Sequence, residues 1–143
     1  MLGKKPKRRI NRILIVEDEP LVAFDNEHVL RDAGYEVVGS VDRVEDAIAL
    51  IRADGIDLVL ADVSLAEGES GIDVARAAKA RGVALLFVAG SCPVEARKLA
   101  IGCLAKPYLP RELTGAIEAV EAVLVGKKPK KPPAGLSLYS GEA

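Results

Sequence analysis

Short apolar runs alternate with helix-like segments along this chain of 143 residues. Two of the runs, at residues 13–16 and 58–61, contain only Ile, Leu, Val and Ala, and helical spacing of apolar side chains is clear at 44–51 and 113–124. Strands that alternate with helices over short connections form a parallel sheet with helices on both faces. Since the length fits one domain, the alternation predicts a single α/β domain.

The pattern predicts five strands and five helices in strict alternation. The strands are expected at 12–16, 36–40, 57–61, 84–88 and 102–105, and the helices at 20–33, 44–53, 71–81, 93–100 and 110–124. We expect a doubly wound sheet of order 2-1-3-4-5, whose switch point lies between the first and third strands. The domain is expected at 10–125, between a basic tail at 1–9 and a Pro- and Lys-rich tail at 126–143.

Charged residues follow three of the predicted strands. Asp18, Asp62 and Lys106 each come just after an apolar run, and Glu17 precedes Asp18. Because the carboxyl ends of neighbouring parallel strands meet at one crevice, these side chains are expected to converge. Carboxylates and an ammonium group gathered there indicate Mg²⁺ and phosphoryl chemistry. The alternatives are a turn or helix cap for Asp62, a favourable helix N-terminus for the acidic pair, and a surface position for Lys106.

Three motifs in this order carry a resemblance to a known family. The segments RILIVEDEP, DLVLADVSLAEGESGID and LAKPY resemble the receiver domain of two-component response regulators, over about residues 11–125. The amino-acid sequence around Asp62 is most similar to that of single-domain regulators and of general-stress-response regulators of the alphaproteobacterial kind. The resemblance implies a flavodoxin-like, or CheY-like, five-stranded parallel sheet.

The resemblance also implies a role for each residue of the crevice. Asp62 would be the phospho-acceptor, attacking the phosphorus of a phosphohistidine on a partner protein. Asp18, Glu17, Asp62 and the backbone carbonyl of Ser64 would bind Mg²⁺, which commonly uses few carboxylates and keeps several waters. Lys106 would pair with Asp62 before the transfer and with the phosphoryl group after it.

The chain departs from the family pattern at two positions. Ala89 stands where receivers usually carry Ser or Thr, and Cys103 stands where they carry an aromatic switch residue. Ser91, two residues further on, could partly replace the missing hydroxyl. The segment up to Lys106 is short, which predicts a short or irregular fourth helix. The resemblance also implies a cis peptide bond before Pro107.

Two functions from different classes are consistent with these residues. The first is a stand-alone receiver, expected because only about 18 residues follow the last predicted helix. It would act as a phosphorelay intermediate, a phosphate sink or a phosphorylation-dependent binding partner, rather than as a turnover enzyme. Its partner would be a histidine kinase or a histidine phosphotransfer protein, and it would be a cytoplasmic monomer or weak homodimer. The alternative, favoured by Ala89 and Cys103, is a protein-interaction module independent of phosphorylation.

Net charge, composition and the residues around Glu17 and Asp62 argue against several other functions. The formal net charge is −1, so binding of nucleic acid is not expected, although basic residues crowd both tails. Tyr139 is the aromatic residue of the C-terminal tail, and no recognition helix is evident. No run approaches the roughly 20 apolar residues of a membrane span. Glu17 and its neighbours do not resemble a flavin-phosphate loop, and Val63 after Asp62 does not match the paired aspartates of haloacid-dehalogenase phosphatases.

Two further residue types invite functional interpretations that the sequence does not favour. Cys92 and Cys103 lie outside any metal-binding or redox spacing, so we expect reduced thiols in a cytosolic protein. His28 lies within the first predicted helix, away from its inward stripe. We therefore expect an exposed structural histidine rather than a phosphotransfer residue.

Overall fold

The computed structural model describes residues 8–53 and 55–139. Strands and helices alternate along most of this range. In chain order they are β1 (Arg12–Val16), α1 (Pro20–Asp32), β2 (Glu36–Val41), α2 (Val44–Arg52), β3 (Leu58–Asp62), α3 (Gly71–Ala80), β4 (Ala84–Ala89), α4 (Ala96–Leu99), β5 (Gly102–Ala105), α5 (Pro110–Leu124) and β6 (Leu136–Leu138). A short 3₁₀ turn at Ala66–Gly68 lies between β3 and α3.

The strands form one sheet in the order β2-β1-β3-β4-β5-β6. The first five strands are parallel, which confirms the predicted order 2-1-3-4-5, and β6 runs antiparallel to β5. Strand β1 pairs with both β2 and β3, so the switch point lies at the carboxyl ends of β1 and β3.

The core consists of two apolar layers, one on each face of the sheet. Leu14 and Val16 of β1 point into the layer covered by α2, α3 and α4, whereas Ile13 and Ile15 point into the layer covered by α1 and α5. All four side chains are buried, and every residue of β3 is buried as well. This two-sided burial explains why the central strands are continuous apolar runs, since alternating polar residues would be buried without partners.

The predicted C-terminal tail is wrong for part of its length. Residues 136–138 form β6, whose Leu136 and Leu138 pack against the α1 and α5 layer. The Pro- and Lys-rich composition of the preceding residues gave no signal for this strand of three residues. Strand β6 covers the edge of β5, which would otherwise carry unpaired backbone groups.

The predicted N-terminal tail also packs on the domain at its last residues. The guanidinium of Arg8 lies 4.3 Å from the ring centre of Tyr35. The backbone amides of Arg9 and Ile10 donate to the Glu121 carboxylate on α5, at 2.7 and 2.8 Å. Residues 1–7 of the predicted tail lie outside the described residues. The ordered domain therefore begins by residue 8.

The prediction of reduced cysteines is wrong. Cys92 and Cys103 form a disulfide, with their Cα atoms 6.2 Å apart. The connection between β4 and β5 folds back so that its first residues lie beside β5. Eleven positions of sequence separate the two thiols, so no spacing rule indicated the bond.

Helix α4 lies within this connection. It has four residues, Ala96–Leu99, in place of the predicted 93–100, which agrees with the expectation of a short fourth helix. Within the described residues, no helix combines the length and the apolar character needed to cross a membrane.

Candidate functional site

An acidic trio, Glu17, Asp18 and Asp62, gathers at the carboxyl ends of β1 and β3. One carboxylate oxygen from each residue lies within 4.8 Å of the others. Glu17 and Asp62 are buried, with 4% and 7% of their surfaces exposed, and Asp18 is half-buried. Asp62 is the last residue of β3, while Glu17 and Asp18 follow β1, so the sheet itself brings the three together.

Lys106 neutralises part of this charge. It follows β5, and its Nζ lies 2.6 Å from Asp62 Oδ2 and 3.7 Å from Glu17 Oε1. Burial lowers the pKa of Lys106, but the hydrogen bond to Asp62 and the charges of Glu17 and Asp62 outweigh it, so the pKa is raised. Lys106 is therefore a cation at neutral pH. The peptide bond to Pro107 is cis, as the resemblance implies.

Glu17 is the member of the acidic trio that has a buried oxygen without a hydrogen-bond donor. Its Oε2 accepts a hydrogen bond of 3.1 Å from the backbone amide of Glu19, but its buried Oε1 has no hydrogen-bond partner. Burial, followed by the charge of Asp62, raises the pKa of Glu17 to about 7, against the effects of the Glu19 amide and Lys106. A buried carboxylate oxygen without a donor is the arrangement expected beside a cation.

The acidic trio fits Mg²⁺. Two like charges about 5 Å apart repel by roughly 3 kcal/mol at an effective dielectric constant near 20. When all three carboxylates are ionised there are three such repulsions, and one lysine does not offset all of them. Mg²⁺ prefers oxygen ligands and is usually held by one or two carboxylates together with waters. The donor set and the Glu17 oxygen that accepts no hydrogen bond both match that preference.

A cleft of about 540 Å³ opens above Asp62. It is lined by Asp18, Glu19, Asp62, Val63, Ser64, Leu65, Ala89, Gly90, Ser91 and Lys106. The backbone amide of Ser64 donates to Asp62 Oδ1 at 3.1 Å, while Lys106 holds Oδ2. These two donors fix the Asp62 carboxylate at the base of the cleft. Metal binding by the Ser64 carbonyl stays a prediction.

Of the two departures from the family pattern, Ala89 lines this cleft and Cys103 lies in the buried core. Ala89 is the last residue of β4, and its carbonyl accepts a hydrogen bond of 2.9 Å from the Lys106 amide. It brings no hydroxyl to the cleft that it lines. Cys103 is fully buried in β5 and is bonded to Cys92, so it cannot rotate as a free side chain would. Their roles as atypical switch positions remain predictions.

Gly71 is a site residue that the sequence analysis missed. A Cβ atom built on Gly71 would lie under 3.0 Å from the carbonyl oxygen of Asp62, which is closer than real Cβ contacts. The Gly71 amide donates to the Val63 carbonyl at 2.7 Å, so the start of α3 lies against the end of β3. The sequence signal for this residue was the glycine of the segment SGID, which follows Asp62 within the second motif of the resemblance.

A second missed contact supports the loop that carries Lys106. Asn26 on α1 is buried, and its Nδ2 donates to the Tyr108 hydroxyl at 2.9 Å. Burial raises the pKa of Tyr108, against the effects of this hydrogen bond and of Lys106. His28, in contrast, is exposed and stacks on Phe24 with ring centres 4.5 Å apart, as expected for a structural histidine.

The fold and the site together define a class of protein. The chain belongs to the response regulator receiver domain family, whose pattern matches residues 13–118. Receiver domains accept a phosphoryl group on an aspartate and generally bind Mg²⁺ in an acidic pocket, and this structure has a cluster of acidic residues at the carboxyl ends of β1 and β3.

Among curated proteins, the chain is similar to two regulators with further sequence of their own. The transcriptional regulatory protein PdtaR of Mycobacterium tuberculosis is 34% identical over 113 residues, which are 75% of this chain and 55% of PdtaR. The phyllosphere-induced regulator PhyR of Methylorubrum extorquens is 40% identical over 62 residues, which are 43% of this chain and 23% of PhyR. The chain thus spans about half the length of PdtaR and less of PhyR.

Solved structures give the same fold. SdrG from Sphingomonas melonis Fr1 is 34% identical, with a TM-score of 0.69 over 80% of this chain and 98% of SdrG. PhyR from Brucella abortus is 32% identical, with a TM-score of 0.61 over 73% of this chain and 44% of PhyR. Both similarities cover most of the described residues.

Proposed function

We propose that Asp62 accepts a phosphoryl group from a phosphohistidine on a partner protein, with Mg²⁺ held by Asp18, Glu17 and Asp62. The observation that carries this proposal is the geometry around Asp62. Its buried carboxylate lies at the base of an open cleft, 2.6 Å from the Lys106 ammonium and within 4.8 Å of two further carboxylates.

The residues have complementary parts in the transfer. A carboxylate oxygen of Asp62 attacks the phosphorus, and the bond from phosphorus to the histidine nitrogen breaks. The donor histidine carries a proton on its other ring nitrogen, so it leaves as a neutral imidazole. The product is an acyl phosphate on Asp62. Lys106 leaves Asp62 and pairs with a phosphoryl oxygen, while Ser64 keeps its amide directed into the cleft. Bound Mg²⁺ supplies positive charge to the phosphoryl oxygens, and in-line positioning accounts for most of the catalysis.

The donor in this proposal is a histidine kinase or a histidine phosphotransfer protein, and the receiver acts in the cytoplasm. Of the three roles open to it, binding of a protein partner is supported by one similarity. The chain is 27% identical to a double mutant of the anti-anti-sigma factor PhyR from Bartonella quintana, with a TM-score of 0.60 over 73% of this chain and 45% of that chain. A phosphorelay intermediate and a phosphate sink use the same chemistry and differ in the fate of the phosphoryl group after its transfer to Asp62. None of these roles requires turnover of a substrate.

Phosphoryl uptake by Asp62 is the first prediction. Incubation with acetyl phosphate and Mg²⁺ should give one phosphoryl adduct by intact mass, and Asp62→Asn should abolish it because the attacking oxygen is lost. Asp73→Asn is a matched control, since Asp73 is an exposed carboxylate paired with Arg76 on α3. An adduct on the Asp62→Asn variant would contradict the assignment.

A second function has one specific observation in its favour. Ala89 contributes no hydroxyl to the cleft, and Cys103 is held by a disulfide, so the usual hydroxyl and aromatic pair is missing. The second function is a protein-interaction module that works without phosphorylation. It predicts no adduct under conditions that label a control receiver, with acetyl phosphate and with a phosphorylated histidine phosphotransfer protein as donors.

A further inference from the structure

The disulfide links the rim of the phosphoryl cleft to the strand that carries Lys106. Cys92 follows Gly90 and Ser91, which line the cleft, and Cys103 lies in β5, three residues before Lys106. Cys103 is fully buried and is held by pairing with Phe87 of β4. Strand β5 is therefore held in place by the sheet. The disulfide in turn ties the connection that begins at Gly90 to this strand.

One of the two sulfur-bearing residues is accessible. Cys92 is half-buried and lines a groove of about 1310 Å³, which is separate from the cleft and also includes residues 97–101. The charged residues that line this groove, among those that the structure describes, are Lys79, Arg97 and Lys98. An attacking thiolate is an anion, and neighbouring cations favour it. The groove thus offers an approach to Cys92, while Cys103 is shielded.

We infer that Cys92 and Cys103 form a reversible redox site, opened by a dithiol reductant, that controls the phosphoryl cleft through the β4–β5 connection. The inference rests on the proposed function, because it assigns control to that same cleft. A disulfide in a cytoplasmic protein is usually transient or redox-sensing, which matches this role. In the oxidised state Gly90 and Ser91 are held at the cleft, and in the reduced state they are free to move.

The exchange reaction is balanced in electrons and protons. A thiolate of the reductant attacks the Cys92 sulfur, a mixed disulfide forms, and Cys103 leaves as a thiolate that takes a proton. The second thiol of the reductant then attacks the sulfur of its own first thiol, and Cys92 is released and protonated. Two electrons and two protons pass to the protein, and the reductant becomes a disulfide.

The first experiment tests the redox site without phosphorylation. The full chain is prepared oxidised and after treatment with dithiothreitol, labelled with N-ethylmaleimide, and compared by intact mass and hydrogen exchange. We expect no label before reduction and one label on Cys92 after it, because Cys103 stays buried in the folded protein. Amide exchange in residues 91–100 should be faster by about tenfold, since local opening follows local contacts. Exchange in β1 should not change, which shows that the reduced protein is folded. Labelled thiols in air-oxidised protein, or equal exchange in both states, would overturn the inference.

The second experiment tests the coupling to the cleft. Uptake of phosphoryl from acetyl phosphate with Mg²⁺ should slow by about tenfold or more on reduction, because misplaced groups weaken in-line transfer. Cys92→Ser should behave as the reduced protein with or without dithiothreitol. Equal uptake in both states would overturn the coupling. Absence of an adduct in both states would instead contradict the proposed function, and the coupling with it, and the exchange measurement would then decide the redox site by itself.

Discussion

At the scale of single residues, the acidic trio concentrates more negative charge than Lys106 offsets. Glu17 shows the consequence, since burial and the charge of Asp62 raise its pKa to about 7 and its Oε1 has no hydrogen-bond donor. Residues at functional sites often carry such unfavourable arrangements, because the missing partner is a ligand. For this protein the ligand that we propose is a divalent cation.

Asp18→Asn should therefore weaken Mg²⁺ binding. Asp18 is the most accessible member of the acidic trio, and replacing it removes one unit of negative charge and one carboxylate ligand. We expect the Mg²⁺ dissociation constant to rise by about tenfold or more, which corresponds to about 1.4 kcal/mol. Isothermal titration calorimetry measures it, with Asp73→Asn as the control. An unchanged constant would exclude Asp18 as a ligand.

Gly71→Ala should distort the end of β3, the strand that carries Asp62. The new Cβ would meet the backbone of Asp62, where no flexible side chain can yield. We expect the free energy of unfolding to fall by about 1–3 kcal/mol, as for other overpacked sites, and phosphoryl uptake to fall as well. Urea unfolding measures the first effect. Gly90→Ala is the matched control, because a Cβ there has no atom within 4 Å, and equal stability losses would contradict the argument.

At the scale of elements, the outer edge of the sheet is made by β5 and β6. Two backbone hydrogen bonds flank their pairing, from Ala105 to Gly135 at 2.9 Å and from Tyr139 to Ile101 at 3.0 Å. Gly102 allows the close approach, since a Cβ there would lie 2.7 Å from the Ser137 carbonyl oxygen. A glycine in a strand thus marks the place where another backbone comes near.

Gly102→Ala should release β6 from the sheet. Because the new methyl group displaces the Ser137 carbonyl, we expect the amide of Tyr139 to exchange about tenfold faster, equivalent to about 1.4 kcal/mol. Hydrogen exchange with fragment-level resolution checks this. The control is Gly135→Ala, where the nearest atom to the added Cβ is 3.7 Å away. If Tyr139 exchanged at the same rate in both variants, steric contact at Gly102 would not be what controls β6.

At the scale of the whole molecule, a few long-range links join the ends and connections to the sheet. Glu121 of α5 accepts two hydrogen bonds from the amides that precede β1, and Asp57 accepts two more from Asn11 and Arg12. The disulfide makes a covalent link of the same kind between the β4–β5 connection and β5. Each link removes conformational freedom that the unfolded chain would have.

Reduction of the disulfide should lower global stability. Closing a loop between cysteines 11 positions apart restricts the unfolded chain, and we expect a loss on the order of 3 kcal/mol on reduction. Urea unfolding with and without dithiothreitol measures the difference. Cys92→Ser should show the lower stability under both conditions. A stability that does not depend on dithiothreitol in the unmodified chain would contradict the prediction.

The sequence by itself determined the parallel α/β sheet, its strand order and the gathering of Glu17, Asp18, Asp62 and Lys106. The sheet and the gathering of these residues follow from local signals, namely apolar runs buried on both faces and polar residues where strands end. The strand order was taken from a common arrangement of doubly wound sheets. The tertiary structure alone decided the Cys92–Cys103 bond, strand β6, the contact of Gly71 with Asp62 and the hydrogen bonds from Arg9 and Ile10 to Glu121. Each of these depends on which distant segments meet, and neither periodicity nor composition encodes that within a short window of sequence.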